Sequence, residues 1–222
     1  EMRPWEKLGN LAANMMGLAT LEEDTLDDVR TKRELYQELV RSSGYEYGRL
    51  LADAWCAAFV WKKTDELDYP ITEGVLRRVE RNPFDLAPWM KDEIQRLRDE
   101  YRFLHWHLAF PQVFRMPGVT EKPDNEQAGR SGGFDVVIGN PPFVNATEGG
   151  MHETTKRLWK LFHPALGGTA DLAYYFLSAT LQVCAQNGRI GLVQPHAVLN
   201  SPAAASLRSL LSRGFTPARI YA

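Results

Sequence analysis

The sequence predicts an α/β protein, with a mainly helical N-terminal region over residues 1–114, a flexible loop over 115–133, and a mainly parallel sheet with covering helices over 134–222. Three observations predict it. The run Phe134-Asp135-Val136-Val137-Ile138 is short, apolar and rich in β-branched residues, which suits a strand buried on both faces of a parallel sheet. From that run onward the pattern reads strand, helix, strand, helix, strand, an order that calls for right-handed crossovers. Upstream of it, apolar residues recur at helical spacing.

The acidic residues Asp27 and Asp28 are placed to cap a surface helix over Val29 to Val40, whose apolar side is Val29, Leu35, Tyr36, Leu39 and Val40. Tyr47 to Lys62 crowds Leu50, Leu51, Ala54, Trp55, Ala58, Phe59 and Trp61 into four turns, which predicts a central helix packed on several sides, with Asp53 as an exposed carboxylate near its start. Pro70, Pro83 and Pro88 bracket a short helix around Val75 to Arg81. Trp89 to Arg102 is a charge-laced helix, and Arg77, Arg78, Arg96, Arg98 and Arg102 read as a solvated face. His105 and His107 would share one face of a strand, but no Cys or acidic residue stands at ligand spacing, so no metal site is expected. Thr154 to Phe162 is a basic amphipathic helix. Asp171 is placed to cap an apolar helix over Leu172 to Ala185, which Gly188 ends. Strands over Arg189 to Val193 and Ala218 to Tyr221 flank a helix over Ser201 to Ser212.

Composition narrows the class further. With 222 residues, 44% hydrophobic and 24% charged, the chain is long enough to bury a sizeable core. A formal charge of -2 is not that of a protein bound to nucleic acid by charge alone. From Gln186 to the end, however, there are four Arg and no Asp or Glu. Cys56 and Cys184 lie far apart in apolar contexts, which fits buried free thiols and a reducing bacterial cytoplasm. No membrane segment is expected, because the longest charge-poor stretch, Ile190 to Leu207, is interrupted by Gln194, Pro195, Asn200 and Pro202. The start at Glu1 and the end inside an apolar run suggest a piece of a larger polypeptide.

Chemistry concentrates where the first strand ends. Gly139 permits unusual backbone angles, and Pro141 and Pro142 lack N–H groups, so the ladder stops there. What is left at the sheet's carboxyl edge is the Asn140 amide, carbonyls without neighbouring donors, and the Phe143 ring, at the place where open α/β sheets bind ligands. Here the chain resembles the adenine-N6 DNA methyltransferases, whose fourth motif is Asn-Pro-Pro followed by Phe or Tyr. The stretches Ala52 to Phe59, Leu104 to Phe114 and Asp171 to Phe176 are similar to landmarks of large bacterial enzymes of restriction-modification or phage defence, and the likeness runs from about Val29 onward.

The resemblance implies a partial Rossmann-like methyltransferase sheet over 134–222. It also implies S-adenosylmethionine as methyl donor and double-stranded DNA with a flipped adenine as partner. The catalytic group would be Asn140, Pro141, Pro142 and Phe143, with Asp171 a further candidate near the cofactor and Tyr174 and Phe176 candidate pocket walls. The family's Gly-rich first-strand turn is absent: Gly132-Gly133 and Gly167-Gly168 lack the strand-to-helix context, so that motif is expected upstream of Glu1 and the piece alone is expected to bind the donor weakly. A protein-glutamine or RNA methyltransferase, and a non-catalytic DNA-positioning module, remain alternative readings.

Overall fold

The computed structural model describes residues 4–62, 69–115, 121–124, 131–144, 153–164, 166 and 170–215, and the chain divides into two units, Glu1–Ser131 and Gly132–Ala222. In the first unit the helices are α1 (Pro4–Ala19), α2 (Leu26–Val40), α3 (Ser43–Val60), α4 (Glu73–Arg81), α5 (Pro88–Tyr101) and α6 (Trp106–Ala109). Their starts follow from side-chain caps. The Thr25 hydroxyl accepts from the Asp28 amide while the Asp28 carboxylate accepts from the Thr25 amide, so two otherwise unpaired donors are satisfied at once. The Ser42 and Thr72 hydroxyls cap α3 and α4 by accepting from the amides of Tyr45 and Val75, and α5 stops at Arg102, whose φ of 52° lies in the left-handed region.

Helix α3 is the hub of this unit, packing against α1, α4 and α5. The burial differs from the sequence expectation. Ala54 and Ala57 are fully buried, with Val60, Val79, Ile94 and Leu97 around them, whereas Trp55 and Phe59 are 57% and 40% exposed. The small residues face inward because they let neighbouring helix backbones approach closely, and the bulky aromatics are left to pack edge to face on the outside. On α5, Arg96 is half-exposed as expected and pairs with both Glu93 and Glu100, whereas Arg98 is only 25% exposed and turns towards Asp53. The two histidines are not on a strand: His107 lies in the one-turn helix α6 and His105 caps its start. A two-residue strand β1 (Phe114–Arg115) pairs with β2 (Ser131–Gly132). Most of the loop expected over 115–133 lies outside the described residues.

The second unit carries β3 (Phe134–Gly139), α7 (Glu153–Phe162), α8 (Leu172–Val183), β4 (Cys184–Leu192), short 3₁₀ turns at His196–Leu199 and Pro202–Ala204, and α9 (Ala205–Gly214). β3 and β4 are parallel, as a strand-helix-strand crossover requires, with Val136 opposite Arg189 and Gly139 opposite Leu192. Between Phe134 and Val136 the register jumps, because β4 begins at Cys184 and bulges through Asn187, whose φ is 66°, before regular pairing starts at Arg189. The apolar helix therefore ends at Val183, two residues earlier than its hydrophobic pattern predicts.

One face of the pair is covered and the other is open. Leu192 packs onto a core of Leu166, Ala170, Tyr174, Leu177 and Leu207, while Val136 and Ile138, on the opposite face, are 59% and 79% exposed. The expectation that β3 is buried on both faces is thus corrected: among the described residues this sheet has two strands and one covered face. The strand expected over Ala218 to Tyr221 lies outside the described residues.

Candidate functional site

The candidate residues gather where β3 leaves the sheet. The last ladder contact is the Val193 amide donating to the Gly139 carbonyl at 3.1 Å. Beyond it Asn140 is exposed, Pro141 is buried, and Pro142 and Phe143 are exposed, Phe143 at 53%. The buried Pro141 ring anchors the turn, and with φ fixed at both prolines the flanking amide and aromatic ring have few orientations open to them. The exit is held a second time by the Leu172 amide, which donates to the Val144 carbonyl at 3.0 Å. That bond ties the start of α8 to the residue after Phe143. Asp171 sits at the same junction as the N-cap of α8, its carboxylate accepting from the Ala173 amide at 2.8 Å. All five predicted site residues are therefore close in the chain's fold, four on the turn and Asp171 bonded to the helix that braces it.

The two aromatics considered as pocket walls divide. Tyr174 is 3% exposed and belongs to the core, hydrogen-bonded to Ser201; burial and the nearby Asp171 push its phenol pKa up, against the opposing pull of Ser201 and Arg208. Phe176 is 40% exposed and lies against Trp159, with ring centroids 6.1 Å apart. Arg208, part of the acid-free C-terminal stretch, donates to the carbonyls of Val198 at 2.9 Å and Ser201 at 2.8 Å. Its work is to clasp the loop after β4. Arg189 and Arg213 stay exposed.

That loop runs along the same edge as the Asn-Pro-Pro-Phe turn, and it contains a residue that the sequence marks only as an interruption of an apolar stretch. Both amide atoms of Gln194 are shut off from solvent and have no hydrogen-bond partner among the described residues. In the first unit the polar residue misjudged from sequence is Asp53. It is 3% exposed, with Oδ1 2.7 Å from His105 Nε2 and Oδ2 3.9 Å from Arg98. The signal available for it was a lone carboxylate among apolar residues, fifty-two positions before a histidine, and spacing of that length carries no information.

No strand-to-helix turn rich in glycine occurs among the described residues: Gly132 and Gly133 precede β3, and Pro141-Pro142 follow it. Among the described residues no group of three or more His, Cys, Asp or Glu stands close enough to hold a metal ion, and no helix is long and apolar enough to cross a membrane.

A parallel strand pair that delivers an exposed amide and an exposed aromatic ring to its carboxyl edge is consistent with a methyltransferase-like α/β domain. Residues 31–221 match the family described as Eco57I restriction-modification methylase, and the chain belongs to that family. Its members' chemistry is methylation of DNA within restriction-modification. Comparison with curated proteins and with solved structures gives no match.

Proposed function

We propose that this chain carries the base-binding catalytic turn of a DNA methyltransferase that modifies the N6 amine of adenine. S-adenosylmethionine, as the methyl-donating substrate, supplies a methyl group on a sulfonium. The exocyclic amine of adenine is a poor nucleophile because its lone pair is delocalised into the ring. Two acceptors, one for each N–H, draw it towards a pyramidal arrangement and stabilise the positive charge that grows as it attacks. The side-chain oxygen of Asn140 and the backbone carbonyl of Pro141 have the chemistry of those acceptors, and Phe143 offers the flipped base a face to stack on. No general base is needed at the outset, since the methylated amine is acidic and loses its proton to water.

The observation that supports this reading is the exposure of Asn140 and Phe143 on either side of an anchored proline, at the edge where such sheets bind ligands. Asp171 stays close to the turn through the Leu172–Val144 bond, and its capping role accounts for one of its oxygens. The donor's cradle is a task for a Gly-rich turn outside the described residues.

In the intact protein, Asn140→Ala is expected to lower kcat for transfer of labelled methyl groups to unmethylated plasmid DNA by about 100-fold or more, as removal of one charge-stabilising group does elsewhere. Its melting temperature should be unchanged, because Asn140 is exposed. Undiminished transfer by this variant would remove Asn140 from the mechanism.

A further inference from the structure

A glutamine amide with neither atom paired is an expensive thing to bury. Desolvating an unpaired amide is unfavourable, and an apolar side chain of similar length would fill the same space without that penalty. Among the described residues only Trp61 and Gln194 leave buried side-chain polar atoms without a partner, and Gln194 does so with both Oε1 and Nε2. Its position is as telling as its state. The Val193 amide, immediately before it, makes the bond to the Gly139 carbonyl, immediately before Asn140. Counting on from the last pair, Gly139 opposite Leu192, Gln194 is as far past the end of β4 as Pro141 is past the end of β3. Gln194 thus follows β4 at the same carboxyl edge at which Asn140 follows β3.

We infer that Gln194 is a second base-recognition residue of this site, its Nε2 donating to a ring nitrogen of the flipped adenine. The inference rests on the function proposed above and deepens it. With both amine hydrogens taken by Asn140 and Pro141, the base still presents unprotonated ring nitrogens as acceptors, and Nε2 of a glutamine has the donors they lack. Oε1 is left as an acceptor, and the side-chain nitrogen of Asn140 is a donor once the Asn140 oxygen is committed to the amine. That pairing would fix which way the Asn140 amide is turned. The loop carrying Gln194 is held by Arg208 through the carbonyls of Val198 and Ser201, so the amide is presented from a braced segment.

The test uses the intact protein with Gln194→Leu and Gln194→Met, assayed with unmethylated plasmid DNA and labelled S-adenosylmethionine. Both variants are expected to lose about tenfold in kcat/KM for DNA, with KM for S-adenosylmethionine unchanged and the melting temperature equal to or above that of the parent. A purely structural glutamine would move the melting temperature and leave the kinetics alone. The inference is overturned if kcat/KM for DNA stays within about twofold of the parent in both variants, or if KM for S-adenosylmethionine rises in proportion to the loss. Asn140→Ala run alongside separates the two ideas. An active Asn140→Ala defeats the proposed function, whereas an inactive Asn140→Ala beside fully active Gln194 variants defeats this inference alone.

Discussion

The carboxylate of Asp53 stands in the middle of α3 with almost no access to water, with His105 Nε2 at hydrogen-bond distance from one oxygen and the Arg98 guanidinium near the other. Removing one member of such a group leaves the rest desolvated and unpaired. Asp53→Ala is therefore expected to destabilise the first unit by about 2–4 kcal/mol, measured by chemical denaturation. A change below about 0.5 kcal/mol, the range of ordinary surface substitutions, would mean that the pair contributes nothing. In the second unit His163 is 9% exposed and Ser178 5%, with His163 Nδ1 2.9 Å from the Ser178 hydroxyl. Burial holds the His163 pKa below its ordinary value. The unfolded chain takes up a proton near about pH 6.5, so below that point it binds more protons than the folded form. The stabilisation is complete above that pH and is lost as pH falls towards the folded-state pKa. Comparing melting temperatures at about pH 7.5 and about pH 5.5, His163→Gln should reduce the drop seen on acidification; an undiminished drop would assign it to other groups. Neither pair was legible in the sequence, because each joins residues on different elements through contacts that periodicity does not encode. The exposure of Asn140 and Phe143 at the end of β3 was legible because a strand followed by two prolines has a local geometry that needs no tertiary information.

Elements were read well where caps and breakers are local, and less well where tertiary packing decides. The spans of α2, α4 and α5 and the proline breaks correspond closely to the observed helices, whereas the cap expected from Asp27 and Asp28 is made by Thr25, with Asp28 as its reciprocal partner in the first turn. The burial of α3 was misread, since hydrophobicity alone ranks Trp55 and Phe59 above Ala54 and Ala57 for the core, whereas close helix approach favours the alanines. The bulge in β4 was hidden for the same kind of reason. Val183 to Gly188 reads as the tail of a helix, yet pairing with β3 pulls Cys184 into the ladder. Two glycines make that close pairing possible. A Cβ on Gly133 would lie 2.5 Å from the Ala185 amide nitrogen, and one on Gly188 would lie 2.6 Å from Cys184 Sγ. Because the first clash is with backbone, which cannot turn aside, Gly133→Ala is expected to cost about 1–3 kcal/mol and to loosen the β3 register. Amide exchange along Val136 to Gly139 should rise in that variant; unchanged protection would show that the strand can shift without loss.

At the scale of the chain, a helical unit and a sheet unit divide between Ser131 and Gly132, and the family match spans most of both. Charge gave little guidance to the DNA partner that the family implies. Of the Arg residues in the acid-free C-terminal stretch, Arg208 is engaged with backbone carbonyls, and a net charge near zero hides where the remaining exposed groups lie. The proposed catalytic turn could be read where composition could not, because it occupies four adjacent residues, Asn140 to Phe143. The most direct measurement of the central claim is nucleoside analysis of unmethylated plasmid DNA after incubation with the intact protein and S-adenosylmethionine. The account predicts N6-methyladenine as the product, abolished by Asn140→Ala; methylcytosine as the product, or N6-methyladenine formed equally by the variant, would contradict it.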